Sequence, residues 1–422
     1  MKLNILILGL VLSGLPIHIS YGQGARYTGS YKKSDPVKYV NESNIVIEGL
    51  EFSDVNGDII GLYNCENVVI KNNRFLSSNK RGVYLFNCKN VTIIDNTFEN
   101  THTALTACQS QKVKFEYNDV HNVGGLLALS DDTNNGFAVL FDKVSGEGNS
   151  ISYNAIENIF EQSSPGDIIN VNQSHGTEQS PIIVKGNWLR GGGPSSTGGG
   201  ILLGDVGGSY QIAEDNILVN PGQYGVAIAG GHNMILRNNK VYAKKLYFNN
   251  VAIYAINYYE SKFGKSHTIR VENNIVNYTS SKGISGNSWW VSDNMKPVMG
   301  IETNQYDPDL SASILPDKIL GRARTSSDDI SEEEPTIIPD GNNTNDPSIC
   351  IYLDKYNRVC VNHRGSLESS AVAIFSDVSG KTLHEEPLTR FHTVLLYKPT
   401  PGKYTVRVEN GDKSYLKTLN IP

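Results

Sequence analysis

The sequence predicts an all-β protein, in which a parallel β-helix of about ten coils is followed by a linker and a small C-terminal β-sandwich. The β-helix is predicted first by two segments that repeat one pattern 23 residues apart, NVVIKNNRF (Asn67–Phe75) and NVTIIDNTF (Asn90–Phe98). Each has alternating apolar residues, a turn, and an Asn two places before an aromatic residue. A period of about 20 to 30 residues with strand patterns and no helical pattern is typical of a solenoid.

The recurring Asn is the second observation behind this prediction. A side-chain amide that points into the core at a turn can bind the amides of the coils above and below, which satisfies polar groups that burial would otherwise leave unpaired. An earlier unit, NIVIEGLEF (Asn44–Phe52), has Leu50 at the corresponding place. The predicted ladder positions are Asn73, Asn96, Asn118, Asn154, Asn187, Asn216, Asn239, Asn274 and Asn294.

A second alternating run lies between the ladder positions. It is clearest in DIIGLYNC (Asp58–Cys65), RGVYLFNC (Arg81–Cys88) and DIINVNQS (Asp167–Ser174), and it predicts a further parallel strand in each coil. With its Asn ladder, the region of about 40–295 resembles the right-handed parallel β-helix proteins of the pectate-lyase-like superfamily. The resemblance implies a right-handed helix and a carbohydrate-active protein.

Composition limits the partners of the chain. With 422 residues it is long enough for two or three domains, and only 19% of its residues are charged. The net charge of −6 gives no reason to expect nucleic acid or an anionic membrane as a partner. No spacing of Cys or His residues indicates zinc. No cofactor is predicted; calcium stays open, but no residue pattern indicates it.

The N-terminus reads as a secretory signal peptide over residues 1–22. Lys2 is followed by an apolar stretch from Leu3 to Leu15, and small residues at Ser20 and Gly22 predict cleavage before Gln23. A stretch of about 13 residues is too short to span a bilayer, which needs about 20. The predicted localisation is therefore secreted or at the cell surface, with export through the periplasm and no membrane span after signal removal.

The predicted β-helix domain covers 23–296, and a Pro-rich, acidic linker that includes SSDDISEEEPT covers 297–347. Short alternating strands then predict a β-sandwich over 348–422. This tail resembles the C-terminal sorting domain of the type IX secretion system of Bacteroidetes, through DVSGK (Asp377–Lys381), PGKYTVRVENGD (Pro401–Asp412) and KTLNI (Lys417–Ile421). The resemblance implies secretion machinery as a partner. The alternative is an immunoglobulin-like carbohydrate-binding or spacer module.

Two cysteine pairs carry separate predictions. Cys65 and Cys88 occupy the same place in adjacent coils, where stacked free thiols are favoured over a bridge. Cys350 and Cys360 flank IYLDKYNRV, a hairpin centred near Lys355, and are expected to face each other across it. A disulfide and free thiols both remain open for that second pair.

Long intervals between ladder positions predict where a ligand binds. Three consecutive intervals between Asn118 and Asn216 exceed the regular spacing, and another long interval includes residues 243–266. Insertions in a solenoid gather on one side and form walls around a groove. The interior of a β-helix is filled, so a ligand must lie along the outer face.

Polar residues near these insertions are the candidate site. The predicted catalytic residues are His175, Arg190, Asp205 and His232. The predicted substrate-binding residues are Asp167, Asn170, Asn172, Gln223 and Tyr224. Small residues at Gly204, Ala227 and Ala229 are expected to leave a shallow floor that suits a sugar chain.

Two chemistries fit these residue types. Elimination on a uronic-acid sugar needs a base, such as His175 or His232, and a cation such as Arg190 to neutralise the sugar carboxylate. Hydrolysis needs two carboxylates, for which Asp205 with Asp167 or Asp215 is the local choice. The active-site motifs of chondroitinase-B-like lyases, mannuronan epimerases and calcium-dependent pectate lyases are absent. The sequence therefore predicts a monomeric polysaccharide-active protein, lyase-like or a glycoside hydrolase, with a non-catalytic glycan-binding surface protein as the alternative.

Overall fold

The computed structural model describes residues 29–124, 136–195, 197–324, 349–353, 358–363, 371–388, 392–395, 397, 400–410 and 413–421. The predicted signal peptide and the predicted linker beyond Arg324 lie outside the described residues. The chain forms two compact units, of which the larger contains Gln23–Asp328 and the smaller contains the residues from Asp329 onward.

The larger unit is built from short parallel strands. Its first fourteen strands are β1 (Lys32–Lys33), β2 (Val37–Val40), β3 (Ser43–Glu48), β4 (Leu50–Val55), β5 (Ile60–Tyr63), β6 (Glu66–Lys71), β7 (Arg74–Phe86), β8 (Lys89–Ile94), β9 (Thr97–Cys108), β10 (Gln111–Glu116), β11 (Asp119–His121), β12 (Val139–Asp142), β13 (Ser150–Ser152) and β14 (Ala155–Glu157). Its next fourteen are β15 (Ile169–His175), β16 (Ile182–Lys185), β17 (Trp188–Arg190), β18 (Ile201–Glu214), β19 (Ile217–Val219), β20 (Tyr224–Ile228), β21 (His232–Arg237), β22 (Lys240–Ala243), β23 (Val251–Ala255), β24 (Ile269–Glu272), β25 (Ile275–Tyr278), β26 (Trp289–Val291), β27 (Val298–Met299) and β28 (Gln305–Tyr306).

These strands form three parallel sheets that the chain visits in turn. Sheet 1 contains β2, β5, the end of β7, the end of β9, β12, β15, the start of β18, β20, β23 and β26. Sheet 2 contains β3, β6, β8, β10, β13, β16, the end of β18, β21, β24 and β27. Sheet 3 contains β1, β4, the start of β7, the start of β9, β11, β14, β17, β19, β22, β25 and β28. In the described part of the chain, the ten strands of sheet 1 define ten coils, which confirms the predicted β-helix.

Side chains that point inward stack coil upon coil and fill the interior. Phe52, Phe75, Phe98 and Phe115 form one such column, with ring centroids 5.4, 4.3 and 5.7 Å apart. All four rings are fully buried, as are the branched side chains of the neighbouring columns. Ten coils can therefore share one continuous apolar core, which a single coil could not build by itself.

The Asn ladder lies at the corner between sheet 2 and sheet 3. Asn187 is typical: its Nδ2 donates to Asn216 Oδ1 (2.9 Å) and to the Ile151 carbonyl (2.9 Å), and its Oδ1 accepts from Asn154 Nδ2 (2.9 Å). The column continues in this way from Asn73 to Asn274 with every side chain fully buried. Leu50 stands before the first amide, and its backbone N–H donates to Asn73 Oδ1.

The predicted last member of the ladder is wrong. Asn274 Nδ2 donates to Asn304 Oδ1 (2.8 Å), so Asn304 ends the column. Asn294 lies in a short 3-10 helix, Asp293–Met295, and its Nδ2 donates to the carbonyl of Asn257. The tenth coil needs extra residues before sheet 2, and this delays the ladder position.

Insertions border sheet 1 and avoid the ladder corner. Long segments between sheet 3 and sheet 1 are 122–138, 158–168, 191–200, 244–250 and 279–288. Long segments between sheet 1 and sheet 2 are 143–149, 176–181 and 256–268, the last with the one-turn helix α1 (Glu260–Phe263). At the ladder corner, only two residues join each pair of strands from Lys71 to Ile275. The outer face of sheet 1 is therefore the face with walls, as the spacing predicts.

Residues 297–324 were predicted as the start of a linker, but they are structured. Val298–Tyr306 completes the tenth coil through β27 and β28, and two further 3-10 helices are Ile301–Thr303 and Ala312–Ile314. We call residues 307–324 the return strap, because they run back along sheet 3 from the ninth coil to the third. The β-helix unit therefore extends at least 28 residues beyond its predicted end at 296.

Apolar and cationic side chains hold the return strap. Leu315 and Ile319 are buried with Val219, and Arg322 lies over the Trp188 ring at 4.3 Å. Near its end, Arg324 pairs with Asp95. These contacts explain why the proline-rich composition does not produce a free linker here. None of the described helices is long and apolar enough to span a membrane.

The smaller unit contains seven antiparallel strands in the residues described. They are β29 (Ile349–Leu353), β30 (Val359–His363), β31 (Val372–Asp377), β32 (Thr382–Pro387), β33 (His392–Val394), β34 (Gly402–Asn410) and β35 (Lys413–Ile421). One sheet has the order β29-β30-β33 and the other β32-β31-β34-β35, and residues of both share one buried cluster. This confirms the predicted β-sandwich.

The predicted cysteine pairs have different outcomes. Cys65 and Cys88 are buried free thiols, as expected. The hairpin of β29 and β30 forms, but its register places Cys350 opposite Asn362 and Cys360 opposite Tyr352. The prediction that the two cysteines face each other is therefore wrong, because the hairpin centre lies one residue away from the symmetric point between them. The turn around Lys355 lies outside the described residues.

Candidate functional site

The candidate site lies on the outer face of sheet 1, in coils five to nine. Strand β15 sets its geometry, because Ile169 and Val171 point into the core while Asn170 and Asn172 point outward. Strict alternation would also point Gln173 inward. Gln173 has a left-handed backbone (φ 45°), which ends the alternation and turns Ser174 into the core.

One amide joins two carboxylates at the centre of this face. Asn170 Nδ2 donates to Asp167 Oδ2 at 2.7 Å and to Asp205 Oδ2 at 3.0 Å. Asn170 Oδ1 is buried without a hydrogen-bond partner. The strand pairing of β15 with β18 produces this arrangement, since it sets Asp205 beside Asn172 across the bulge that Gly204 makes. Two carboxylate oxygens thus share one amide nitrogen as their donor.

Tyrosine side chains surround the two carboxylates. Tyr224 Oη donates to Asp167 Oδ1, which also accepts from the Gly199 backbone N–H at 3.1 Å. Tyr259, from the corner segment 256–268, donates to Asp205 Oδ1 at 3.1 Å. Tyr254 packs edge-on against Tyr224 with ring centroids 4.9 Å apart. Four coils therefore contribute to a single polar network with an aromatic border.

Asp167 is more deeply buried than Asp205, and burial changes its pKa. Asp167 is 9% exposed. Burial raises the pKa of Asp167 from 3.8 to about 6, although the hydrogen bonds from Tyr224, Asn170 and Gly199 oppose that shift. Burial and the charge of Asp205 also raise the pKa of Tyr259, to about 12, so that its hydroxyl stays a donor. Asp167 can therefore hold a proton up to about pH 6 beside the more exposed Asp205.

The model of a family described as "Right handed beta helix region" matches residues 39–294, which is more than half of the chain. The chain belongs to the right-handed β-helix family. No curated protein matches it in sequence.

Among solved structures, this β-helix is similar to the catalytic domain of a GH87 alpha-1,3-glucanase in complex with nigerose. The sequence identity is 12% and the TM-score is 0.37. The match covers 65% of this chain and 61% of that one, so the chain spans less than two thirds of the glucanase domain.

The predicted histidines of this β-helix lie apart from the carboxylates, where β15 ends and β21 begins. His175 Nδ1 is 3.0 Å from Ser209 Oγ, and Ser209 pairs in register with His232. His232 stacks on His267 with ring centroids 4.6 Å apart. Burial, and then the neighbouring His232, lowers the pKa of His175. His175, Ser209, His232 and His267 thus follow one another on successive coils.

Arg190 and Gln223 do not take their predicted places. Arg190 ends β17 in sheet 3, where its Nη1 pairs with Glu157 at 2.9 Å and donates to the Asp317 carbonyl of the return strap at 2.7 Å. The prediction of Arg190 in the groove is therefore wrong, because its guanidinium binds Glu157 and the return strap on sheet 3. Gln223 Nε2 donates to the Ser195 carbonyl at 3.0 Å and braces the Gly-rich segment 191–200.

The predicted shallow floor of small residues is also corrected. Ala227 and Ala229 are buried in one cluster with Tyr224, and Tyr254 packs against the same cluster. The small side chains make room for these tyrosine rings rather than for a ligand. Gly204 serves the backbone, since it has a φ of 64° and a Cβ there would meet the Gly230 carbonyl at 2.2 Å.

The sequence missed three residues of the site. Asp142 stands at the same outward position as Asn172 and Asp205 on successive strands, and Asn172 Nδ2 donates to it at 2.9 Å. Aligning VLFD with INVN in register would have found Asp142. Tyr254 and Tyr259 follow from no repeat. Within the described ranges, no group of three or more His, Cys, Asp or Glu side chains could hold a metal ion.

The raised pKa of Asp167 has a measurable consequence for stability. Between about pH 4 and pH 6 the folded state keeps a proton that the unfolded chain has released, so stability falls as the pH rises through this window. Asp167→Asn should remove this dependence, which is about 2 kcal/mol across the window. Denaturant unfolding of both proteins at several pH values measures it. Identical slopes in the two proteins would contradict the assignment of the buried proton to Asp167.

Proposed function

We propose that this β-helix protein is a glycoside hydrolase that cleaves a polysaccharide laid along sheet 1. The observation that carries the proposal is the shared Asn170 amide, which holds Asp167 and Asp205 side by side on the one face that the insertions wall in. Glycoside hydrolysis needs two such carboxyl groups, one protonated and one ionised. The raised pKa of Asp167 supports its role as the acid.

The separation of the carboxylates supports a retaining mechanism. Both nearest oxygens bind one nitrogen, at 2.7 and 3.0 Å, so they lie within the sum of those distances. Retaining enzymes hold their carboxyl groups about 5–5.5 Å apart, whereas inverting enzymes need about 6.5–9.5 Å. In the proposed first step Asp205 attacks the anomeric carbon and Asp167 gives its proton to the leaving oxygen. In the second step Asp167 takes a proton from water, which displaces Asp205.

Elimination is supported less well. It needs a cation beside the base to neutralise the carboxylate of the sugar. Arg190, the predicted cation, lies on sheet 3 and pairs with Glu157, while His175 ends β15 and His232 begins β21. The residues that the sequence predicted for elimination therefore do not meet in one site.

A panel of neutral and uronic polysaccharides tests the proposal. We expect new reducing ends without the ultraviolet absorbance of an unsaturated sugar, and an initial product that keeps the anomeric configuration in a proton NMR time course. An unsaturated product would establish elimination instead. Glycan binding without any product would favour the non-catalytic alternative. A product with inverted anomeric configuration would contradict the retaining mechanism.

We also propose that the chain is exported and that the C-terminal β-sandwich directs it to the cell surface. The signal-peptide pattern of residues 1–22 and the sorting-type motifs of the tail support this. Deleting residues 349–422 in the producing organism should trap the protein in the periplasm. Full-length protein with Asp205→Asn is the matched control and should still be displayed. Unchanged surface display of the truncated chain would contradict the proposal.

A further inference from the structure

The charges on the outer face of sheet 1 have one sign around the two carboxylates. Three successive strands place Asp142, Asp167 and Asp205 there or at the strand start. The six described strands β12, β15, β18, β20, β23 and β26 contain no Lys or Arg. An anionic sugar brought onto this face would therefore meet carboxylates and no counter-charge.

The cations beside this face are either engaged within the protein or exposed in the wall segments, where the lysines are Lys143, Lys244, Lys245, Lys262, Lys265 and Lys282. Arg81, on the same face toward the N-terminus, donates to both carboxylate oxygens of Asp58, at 2.7 and 2.8 Å, and lies over the Tyr84 ring at 3.7 Å. Lys143 is exposed in a corner segment, and Lys262 lies over the ring of Phe263. Charges at an exposed rim are screened by salt and contribute less than charges in a walled groove.

The accessible polar groups of this face are carboxylates, which accept hydrogen bonds, because the amide nitrogens are used within the protein. Asn170 and Asn172 each give their Nδ2 to carboxylates, and each leaves a buried Oδ1 without a hydrogen-bond partner. The donors that such a surface complements are hydroxyl groups, which a neutral sugar carries on every unit. Tyr254 on the ninth coil and the half-exposed Trp290 on the tenth stand at the same outward position, and aromatic rings suit the apolar faces of a sugar.

From this distribution we infer that the sugar unit bound across Asp167 and Asp205 carries no carboxylate, so that the substrate class is a polymer of uncharged sugars rather than of uronic acids. The inference rests on the proposed hydrolase function and makes its substrate more specific. It also explains why the face can do without the arginine that the sequence predicted for it. A uronate in the same place would be repelled by the ionised carboxylates of Asp142 and Asp205.

Matched polymers test the inference on the full-length protein. Glucans, galactans and mannans are each offered in neutral form and after oxidation of their C6 hydroxyls to carboxylates. For any polymer that is cleaved, oxidation should lower kcat/KM by at least about tenfold. The ratio of kcat/KM for the neutral polymer to kcat/KM for the oxidised polymer should fall as the salt concentration rises. Asp142→Asn should narrow the same ratio, whereas Asp215→Asn, at the ladder corner, should leave it unchanged.

Binding by affinity electrophoresis separates the two proposals. If no polymer is cleaved but only the neutral forms are retained, the inference holds and the hydrolase proposal fails. Equal or better cleavage of an oxidised polymer overturns the inference and leaves the hydrolase proposal standing. Tighter retention of the oxidised forms, or no binding and no cleavage of any form, also overturns it.

Discussion

Replacing Asp205 by Asn is expected to lower kcat for polysaccharide cleavage by about 10³-fold or more, because the amide cannot attack the anomeric carbon. The fold should survive, since Asp205 is only partly buried. The new amide oxygen can still accept from Asn170 Nδ2, and the new NH₂ group can donate to the Tyr259 hydroxyl. Reducing-end release and thermal unfolding, measured on the same preparation, separate loss of chemistry from loss of structure.

Asp215→Asn is the matched control for this experiment. Asp215 was the other carboxylate that the sequence offered as a partner for Asp205, but it lies at the ladder corner beside Lys185 at 3.6 Å. Its left-handed backbone (φ 57°) suits Asn as well as Asp, so the variant should fold and keep its activity. Full activity in Asp205→Asn, or equal losses of activity in both variants, would contradict the role of Asp205 as the nucleophile.

Replacing Asn187 by Leu is expected to lower the free energy of unfolding by about 2–5 kcal/mol. The new side chain has a similar size, but it leaves the Ile151 carbonyl and the Asn154 backbone N–H without their partner in the core. Each unsatisfied buried group costs about 1–3 kcal/mol. Denaturant unfolding followed by circular dichroism measures the change.

An exposed amide column provides the comparison. Asn64 Nδ2 donates to Asn41 Oδ1 at 2.9 Å, and Asn64 Oδ1 accepts from Asn87 at 2.8 Å, on the outside of the β-helix. Asn64→Gly keeps the left-handed backbone available and should cost less than about 1 kcal/mol, because water can replace the lost bonds. If both substitutions cost the same, burial of the Asn187 amide would not be what stabilises the corner.

Periodicity predicted most of the larger unit because one local rule repeats in nearly every coil. A recurring Asn with an apolar residue two places later located the ladder as far as Asn274, and the alternation placed Asn170 and Asn172 on the outer face of β15. The same rule, applied strictly, would have found Asn304, which stands two places before Tyr306, whereas Asn294 precedes Lys296 by two places. The regular spacing favours Asn294, whereas the apolar residue two places later favours Asn304.

The candidate site was only partly predictable, because some of its neighbours are set by contacts that no repeat encodes. Asp167, Asn170 and Asp205 meet through strand register, and the repeat determines register. Tyr259 reaches Asp205 from an irregular segment 54 residues later. Arg190 is held by a carbonyl 127 residues downstream, in the return strap, whose sequence shows no periodic pattern.

The return strap changes how the solenoid can come apart. Repeat proteins held only by neighbouring units can unzip from one end, one unit at a time. Here the chain leaving the last coil is fastened at Asn277, Trp188, Asp119 and Asp95, which belong to the ninth, sixth, fourth and third coils. Unfolding of the C-terminal coils must therefore also break the contacts of the return strap with the third to ninth coils. The strap makes coils that never touch one another share a single cooperative transition.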